Sequence, residues 1–262
     1  MRVSHYKIIT CADRNFFHFL PALERNVLQV TGEYPIIYDL GMTQKQRSRL
    51  RSQIVSITPP DGYNESVAGG AIRTNHKVGC IRDCLERFSQ GVLYIDADVL
   101  MIEALPVGVF EDVDIALTPR HPNEMRADAP FRNGRINAGV MYFAAQARVF
   151  QLLDDWEALC ALGFLTDQQA MSDLMEDADL AGTLGRVQVL GLSVLKLDPR
   201  VYNDVGSTTG RLWHFKNAGR RFHKKRRWLK AVWLGRWFGS WQARRTADLR
   251  SKLPDFRVNS DY

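Results

Sequence analysis

Two aspartates interrupt a long apolar segment in the middle of the chain. The segment reads Val92-Leu-Tyr-Ile-Asp-Ala-Asp-Val-Leu100, and Asp96 and Asp98 are its only charged residues. Burying carboxylates among apolar side chains is unfavourable unless a cation or hydrogen-bond donors compensate them. In an extended chain, side chains two residues apart point to the same side, which predicts that the two carboxylates lie together. Paired oxygen ligands favour Mg²⁺ or Mn²⁺; the alternative is a strand-end turn in which Asp98 caps the next element.

The pattern of apolar residues predicts that this acidic segment belongs to an α/β fold. Buried-strand runs alternate with segments whose apolar residues recur at helical spacing, and Thr43 and Thr166 are the expected N-caps of two helices. The predicted strands are 7–12, 34–40, 53–58, 92–102, 113–118 and 136–144, and the predicted helices are 15–29, 43–50, 74–89, 147–162 and 166–175. Such alternation implies a mostly parallel central sheet that binds ligands at the carboxyl ends of its strands.

Composition excludes several other classes of protein. The 262 residues are 45% hydrophobic and 24% charged, which suits a large buried core and not a disordered chain. No apolar run approaches the length of a membrane span, and the amino terminus does not resemble a signal sequence, so we expect a cytoplasmic protein. The four cysteines are interpreted as reduced core thiols. Cys80 and Cys84, one helical turn apart, leave a zinc site as an alternative.

The positive charge of the chain is concentrated near its carboxyl end. Residues 205–247 hold 12 of the 35 Lys and Arg residues, no Asp or Glu, and five of the six tryptophans. Basic residues attract anionic lipid and tryptophan prefers the membrane interface, so this basic, Trp-rich helical tail is predicted to lie on a membrane surface. Two alternatives remain open, a nucleic-acid-binding segment and a solvated helix whose tryptophans belong to the core.

Four further segments stand in a fixed order relative to the aspartate pair. They are Ala12–Phe16, Ile136–Phe143, Thr166–Gln169 and Trp213–Arg220. Together with the Asp-x-Asp pair they resemble motifs of the GT-A nucleotide-sugar glycosyltransferases, particularly of glycosyltransferase family 8 and its bacterial lipopolysaccharide-type members. The resemblance covers residues 7 to about 220. It implies a single GT-A (Rossmann-like) domain at 1–221, followed by the basic tail at 222–262.

The resemblance assigns a metal site and a phosphate site. In that family the Asp-x-Asp pair, here Asp96 and Asp98, holds a divalent cation that bridges the diphosphate of the donor. The late segment is similar to a His-x-x-Gly-x-Lys-like element, which makes His214 the third metal ligand. Lys77 resembles a family lysine or arginine near the diphosphate, and the alternative is a surface residue of a helix. The remaining expected phosphate contacts are Lys216, Gly219 and Arg220.

The first strand is similar to the nucleotide-binding edge of the family. The resemblance makes Asp13 a contact of the base and Asn15 a contact of the ribose, and it places Thr10 at the end of the strand beside them. Asp13 acting only as a helix N-cap is an equally good interpretation of this segment taken alone. The resemblance thus predicts a nucleotide site beside the metal site.

Two segments resemble the donor-sugar contacts of the family. The resemblance places Asn137, Ala138 and Gly139 at the sugar hydroxyls, where an amide offers both donor and acceptor and small residues allow close approach. It makes Asp167 a ligand of sugar hydroxyls and sets Gln168 against the anomeric carbon. The alternatives are a structural glycine at a strand bend and an acidic residue favoured by the helix dipole.

The resulting prediction is a metal-dependent glycosyltransferase. It would use Mn²⁺ or Mg²⁺ and a nucleoside-diphosphate sugar, expected to be a UDP-sugar. Its acceptor would be a saccharide or a lipid-linked molecule, as in lipopolysaccharide biosynthesis. Family resemblance implies retention of configuration, and because Gln168 is a poor nucleophile we expect the acceptor to attack on the face that the diphosphate leaves. The expected location is cytoplasmic, peripheral on the cytoplasmic face of the inner membrane.

Two other functions remain as alternatives. A sugar nucleotidyltransferase would use the same carboxylate pair on a similar fold. That class of enzyme has a glycine-rich amino-terminal loop, whereas residues 11–17 of this chain contain no glycine. A nucleic-acid-binding module would use the basic tail, with the α/β domain as a scaffold. The polar loop 119–135 is the expected cover of the acceptor; its candidate residues are Arg120, His121, Arg126 and Arg132.

Overall fold

Four strands alternate with three helices in the first part of the chain. The computed structural model describes residues 6–58, 70–120, 124, 134–162, 166–176, 183–206, 209–216 and 225–233. The first strands are β1 (Tyr6–Ala12), β2 (Ile36–Asp39), β3 (Ile54–Ser56) and β4 (Gly91–Ile95). The helices between them are α1 (Leu20–Thr31), α2 (Gln44–Arg47) and α3 (Gly70–Phe88). A 3-10 turn at Phe17–Phe19 precedes α1.

The second part mixes strands and helices less regularly. Its strands are β5 (Val99–Met101), β6 (Ile115–Pro119), β7 (Ile136–Phe143), β8 (Gly185–Val189), β9 (Leu192–Lys196) and β10 (Leu212–His214). Its helices are α4 (Ala147–Ala161), α5 (Asp167–Leu174), α6 (Pro199–Tyr202) and α7 (225–233). Thr43 and Thr166 cap α2 and α5 as predicted, each with a reciprocal capping box.

An eight-stranded sheet in the order β3-β2-β1-β4-β7-β6-β9-β8 forms the centre of the fold. β3, β2, β1 and β4 are parallel, and β6 and β9 are parallel to each other. β7 runs antiparallel to both of its neighbours, and β8 runs antiparallel to β9. Most strands therefore point one way, which confirms the predicted α/β fold with a mostly parallel sheet. The carboxyl ends of β1, β4 and β6 meet at one edge.

Helices cover both faces of this sheet. Because neighbouring residues of a strand point to opposite faces, Ile9, Tyr94 and Met141 pack toward α3, α4 and α5. Leu93 and Val140 pack on the other side, toward α1 and a small second sheet. β4 and β7 are buried along their whole length, which explains their continuous apolar sequences.

The prediction of one continuous strand over residues 92–102 is wrong. The chain leaves the central sheet after Ile95, turns, and resumes as β5, which pairs antiparallel with β10 in a separate two-stranded sheet. Both halves are buried and apolar, so the sequence pattern alone does not reveal the break. The predicted helix 15–29 begins later than expected, at Leu20, with Pro21 in its first turn. β8, β9 and β10 were not predicted.

The cysteines agree with the sequence interpretation. All four are free; Cys80, Cys84 and Cys160 are buried, and Cys11 is half-buried. Neither Cys80 nor Cys84 belongs to a group of potential metal ligands among the described residues. This arrangement favours core thiols over the zinc alternative.

The helix α7 packs against the domain through one of its two described tryptophans. Trp228 is buried, and its ring meets Phe19 edge to face with 4.8 Å between centroids. Trp233 is 57% exposed. The core interpretation of the tail tryptophans therefore fits Trp228 and not Trp233. No helix in the described part of the chain is long and apolar enough to cross a membrane.

Replacing Trp228 by alanine should destabilise the domain. The substitution Trp228→Ala removes a buried aromatic ring, so we expect the free energy of unfolding to fall by about 3–5 kcal/mol in urea denaturation. Trp233→Ala is the matched control and should change it by less than about 0.5 kcal/mol. Equal effects of the two substitutions would show that α7 does not dock through Trp228.

Candidate metal centre

Two carboxylates and one imidazole converge at the carboxyl edge of the sheet. Asp96 and Asp98 lie in the turn between β4 and β5, and His214 ends β10, directly opposite Val99 in the small sheet. One potential ligand atom from each of the three side chains lies within 4.8 Å of the other two. Nε2 of His214 is 3.4 Å from Oδ1 of Asp98 and 3.7 Å from Oδ2 of Asp96. The arrangement is compact enough for one cation to contact all three.

Backbone hydrogen bonds fix the turn that carries the two aspartates. The amide of Asp96 donates to the carbonyl of Gly139 on β7 (2.8 Å), and the amide of Val99 closes the turn on the Asp96 carbonyl (3.0 Å). The amide of Phe215 donates to the Asp98 carbonyl (3.0 Å), which ties the end of β10 to the same turn. The pairing of the carboxylates predicted from the sequence is thus achieved by a turn and not by an extended strand.

Gly139 leaves the space that the imidazole of His214 occupies. A Cβ atom at position 139 would lie 2.4 Å from Cε1 and 2.6 Å from Nδ1 of His214, and 3.1 Å from Oδ2 of Asp96. Real Cβ contacts are essentially never that short, so a side chain there would push the ring away. The glycine of the Asn-Ala-Gly sequence therefore makes room for the third member of the cluster.

Lys77 is buried beneath the cluster. Its ammonium group lies 2.8 Å from Oδ2 of Asp167 and 3.3 Å from Oδ1 of Asp96, and it donates to the carbonyl of Ala138 (2.9 Å). It also stands 4.8 Å from the ring centre of Tyr94. The alternative of a surface helix residue is wrong, because the side chain is only 5% exposed.

The charges of this buried group stabilise one another. Burial alone would lower the pKa of the Lys77 ammonium, but the carboxylates of Asp167 and Asp96 outweigh burial and raise that pKa above its ordinary value. Burial alone would raise the pKa of Asp96, but Lys77, followed by His214 and a hydrogen bond from Tyr94, holds it below its ordinary value. The ion pairs of Lys77 therefore favour the charged forms of Lys77 and Asp96.

The side chain of Asp167 faces Lys77 and is almost completely enclosed. It is 1% exposed, and the indole nitrogen of Trp156 donates to its backbone carbonyl (2.9 Å), which anchors the start of α5. In Gln168, the side-chain oxygen accepts from Nη2 of Arg120 (3.1 Å) and from the amide of Ala138 (3.4 Å). The two neighbours thus have separate roles: the aspartate holds the buried lysine, and the glutamine lies nearer the surface of the pocket.

Sequence reasoning missed Glu124, a carboxylate from the polar loop. It accepts from the ammonium of Lys216 (3.0 Å) and from Nδ2 of Asn137 (3.2 Å to each oxygen), and Nη1 of Arg120 is 3.9 Å away. Burial would raise the pKa of Glu124, but Lys216 and Arg120 hold it below its ordinary value. One feature of the sequence indicated Glu124: it lies in the polar loop 119–135, which was predicted to be functional and which also contains Arg120.

The residues of the expected nucleotide site lie at the end of β1. The carboxylate of Asp13 accepts from the backbone amides of Asn15 (2.8 Å) and Phe16 (3.1 Å), so it closes the turn after the strand. Its Oδ2 accepts from the side-chain amide of Asn15 (3.2 Å), and that residue is exposed. Thr10 is fully buried, and its hydroxyl has no hydrogen-bond partner among the described residues. Gly219 and Arg220 lie outside the described residues, as do His121, Arg126 and Arg132.

Solved structures resemble this arrangement of strands and helices. No protein-family model and no curated protein matches the sequence. A glycosyltransferase involved in the glycosylation of the major capsid of PBCV-1 is 13% identical, with a TM-score of 0.51 over 84% of this chain and 99% of that one. The glycosyltransferase GlyE of Streptococcus pneumoniae is 12% identical, with a TM-score of 0.50 over 76% of this chain and 46% of that one.

This chain has the GT-A glycosyltransferase fold. The galactosyltransferase LgtC, solved with donor and acceptor sugar analogues, is also similar at 17% identity, with a TM-score of 0.48 over 74% of each chain. Within the GT-A fold the cluster of Asp96, Asp98 and His214 stands at the carboxyl end of β4, which lies beside β1 where the strand order reverses from β3-β2-β1 to β4. Ligands of open α/β sheets bind at such a position.

Filling the space at Gly139 should disrupt the cluster. We expect Gly139→Ala to weaken Mn²⁺ binding by about tenfold or more, because the new methyl group displaces the His214 ring. Titration calorimetry with MnCl₂ measures the change. Gly79→Ala on α3 is the control, because a Cβ there meets nothing within 4 Å. Unchanged Mn²⁺ affinity in Gly139→Ala would exclude His214 as a ligand held by this contact.

Proposed function

We propose that this protein is a metal-dependent glycosyltransferase that moves a sugar from a nucleoside-diphosphate sugar to a saccharide or lipid-linked acceptor. One observation carries the proposal: His214 meets Asp96 and Asp98, more than a hundred residues earlier in the sequence, at the ligand-binding edge of a GT-A fold. Carboxylate and imidazole ligands suit Mn²⁺ and Mg²⁺, the two cations expected from the sequence.

The orientation of the three side chains fits a bound cation. Oδ1 of Asp96 is already engaged by the Tyr94 hydroxyl (3.0 Å) and by Lys77, so Oδ2, on the side of His214, is the oxygen available to a metal. Asp98 offers Oδ1 toward the same imidazole nitrogen. A divalent cation held there would stabilise the negative charge that develops on a departing diphosphate.

Lys77 acts in this proposal as a positioning residue. Its ammonium neutralises Asp96 and Asp167 together, and it holds the oxygen of Asp96 that does not face the cation. Because Lys77 lies on α3, Asp167 on α5 and Asp96 in the turn that follows β4, the ion pairs fix these three parts of the chain against one another. The preorganised charge means that little rearrangement is needed when the donor binds.

Residues on β7 and α5 form the proposed sugar subsite. Asn137 presents its amide beside Glu124, and Gln168 is held by Arg120 and the Ala138 amide. In the described contacts Asp167 is directed to Lys77, so we assign it to support of the site and Gln168 to its surface. The Gln168 amide is a poor nucleophile, which supports attack by the acceptor on the face from which the diphosphate departs, with retention.

The nucleotide and diphosphate are assigned to the two sides of the metal. Asp13 and Asn15 form a polar turn at the end of β1 that suits the base and ribose of a UDP-sugar, with Thr10 beneath it. Lys216 follows His214 by two residues and is only 23% exposed, so it is placed to bind a phosphate oxygen once Glu124 releases it. Gly219 and Arg220 remain proposed phosphate contacts.

Removing one carboxylate should abolish metal-dependent donor binding. Asp98→Asn is the informative variant, because Asp96 also pairs with Lys77 and its loss would disturb the core. In a thermal-shift panel of UDP- and GDP-sugars with Mn²⁺, the wild type should gain about 2.7 kcal/mol when a donor is present at a hundred times its Kd. Asp98→Asn should lose that gain, and Glu86→Gln, which removes an exposed carboxylate on α3, should keep it.

The products separate the proposed reaction from its alternatives. A glycosyltransferase releases a nucleoside diphosphate from the donor, whereas a sugar nucleotidyltransferase consumes a nucleoside triphosphate and releases pyrophosphate. A nucleic-acid-binding module would show salt-sensitive binding to single strands without dependence on Mn²⁺ or Asp98. An inverted anomeric product from a defined donor would contradict the retaining mechanism. Donor binding that is changed neither by Mn²⁺ nor by Asp98→Asn would overturn the proposed metal site.

The exposed face of α7 supports a second proposal, contact with an anionic membrane surface. Leu229 and Trp233, one helical turn apart, are 49% and 57% exposed. Lys225 and Lys230 are exposed on the same helix. An exposed apolar pair beside basic side chains suits the headgroup layer of a bilayer. Such contact would bring the active site near a lipid-linked acceptor, as in lipopolysaccharide biosynthesis at the cytoplasmic face of the inner membrane.

Point substitutions on α7 test this surface without removing the buried Trp228. The double variant Leu229→Ser/Trp233→Ser should reduce binding to phosphatidylglycerol-containing vesicles by on the order of tenfold or more in a flotation assay. The control Val107→Ser/Leu190→Ser removes two apolar residues that are 74% and 59% exposed elsewhere, and it should bind like the wild type. Equal binding by both double variants would contradict the assignment of this face to the membrane.

A further inference from the structure

Asn203 contacts the imidazole of His214 at Nδ1, the ring nitrogen that does not face the two aspartates. It lies directly after α6 and is 1% exposed. Its side-chain oxygen is 2.7 Å from Nδ1 of His214, and its side-chain nitrogen donates to the backbone carbonyl of Asn137 (3.1 Å). Both ends of a buried amide are therefore used, one on the imidazole and one on the strand that carries the proposed sugar contacts.

The two hydrogen bonds determine where the proton of the imidazole lies. The carbonyl of Asn137 can only accept, so the nitrogen of the Asn203 amide must face it, and the amide oxygen must face His214. An amide oxygen also only accepts, so Nδ1 of His214 must carry a hydrogen. In the neutral ring Nε2 then has a free lone pair, and it is Nε2 that faces Asp96 and Asp98.

The chain between Asn203 and His214 is folded to hold this contact. The carboxylate of Asp204 accepts from the amides of Thr209 (3.1 Å) and Gly210 (3.0 Å), which closes the loop. The backbone carbonyl of Asp204 accepts from the amide of His214 (3.0 Å), and the amide of Asp204 donates to the carbonyl of Leu212 (2.9 Å). The loop thus sets Asn203 beside the imidazole, while Gly139 leaves room for the ring.

We propose that Asn203 is a positioning residue that fixes the tautomer and orientation of His214, so that Nε2 is presented to a divalent cation. The inference rests on the proposed metal-dependent function. It extends that function to a residue that no sequence motif indicates. Hydrogen bonding of the second ring nitrogen is a general requirement for histidine ligands, and its loss weakens metal binding. The same amide ties the metal site to the backbone of Asn137, and hence to the proposed sugar subsite.

Metal affinity in the absence of nucleotide measures the proposed role. We expect Asn203→Leu, which keeps the size but removes both polar ends, to weaken Mn²⁺ binding by about 10–100-fold in titration calorimetry of the full chain. Asn203→Asp retains an acceptor for the Nδ1 hydrogen, so its Mn²⁺ affinity should remain nearer to that of the wild type. Donor turnover by Asn203→Leu should recover at saturating Mn²⁺, because the ligands themselves are intact.

A control variant separates positioning from a general loss of stability. Asn26 is a partly buried asparagine whose amide also uses both ends, on the backbone of Met101 (2.7 Å each). Asn26→Leu should therefore destabilise the fold without changing Mn²⁺ affinity. Nitrogen-15 NMR of the metal-free protein, at a pH where the ring is neutral, reports the tautomer of His214 directly. Nδ1–H should dominate in the wild type and not in Asn203→Leu.

The outcomes are distinct for this inference and for the proposed function. If the wild type binds neither Mn²⁺ nor Mg²⁺, the proposed function fails, and the NMR signal still tests the orientation of His214 by Asn203. An Nε2–H tautomer in the wild type would overturn the inference. So would equal Mn²⁺ affinity in the wild type and Asn203→Leu, or an equal loss of affinity in Asn203→Leu, Asn203→Asp and Asn26→Leu.

Discussion

The buried ammonium group of Lys77 is the interaction on which the site depends. Aspartates at the edge of an apolar sheet can be enclosed only if their charge is compensated, and Lys77 reaches both Asp96 and Asp167. The three residues come from the turn after β4, from α3 and from α5, so one set of ion pairs holds the end of a strand against two helices. Truncating the lysine would leave the enclosed carboxylate of Asp167 and the half-buried carboxylate of Asp96 without their cation, which costs more than the contacts alone. The same pairs engage one oxygen of Asp96 and leave the other for a metal.

The third member of the cluster, His214, is positioned by a different sheet from the one that precedes the two aspartates. His214 belongs to β10, which pairs with β5 in a small sheet outside the central one. Its ring is supported by hydrogen bonding to Asn203 and by the space above Gly139. Two separate sheets therefore meet at the cluster, and the turn at Asp96 and Asp98 connects them. A continuous strand through this turn would have carried Asp98 away from the imidazole.

Local sequence pattern predicts the parts of the fold in which burial and periodicity agree. The apolar runs of β4 and β7 are buried throughout, β1 is buried at four of its seven residues, and the threonine caps of α2 and α5 follow ordinary capping chemistry. The break after Ile95 was missed because β5 is as apolar as β4. His214 was found only through family resemblance, and Glu124 and Asn203 were not found at all. Their roles depend on tertiary contacts with residues distant in the sequence, which leave no periodic signal.

The distribution of charge in the pocket gives an independent reason to expect a metal-bound diphosphate. Asp96 and Asp167 pair with the ammonium of Lys77, and Asp98 faces the same imidazole nitrogen as Asp96. Three carboxylates and one ammonium give this cluster a formal excess of two negative charges. The neighbouring group of Arg120, Lys216 and Glu124 has an excess of one positive charge. A divalent cation balances the first group, and a phosphate oxygen can replace the Glu124 carboxylate in the second. The two groups are joined through β7, where Asn137 contacts Glu124 and Ala138 contacts Lys77. A ligand that presents a cation and a phosphate side by side satisfies both, whereas a bare sugar or an unphosphorylated peptide satisfies neither.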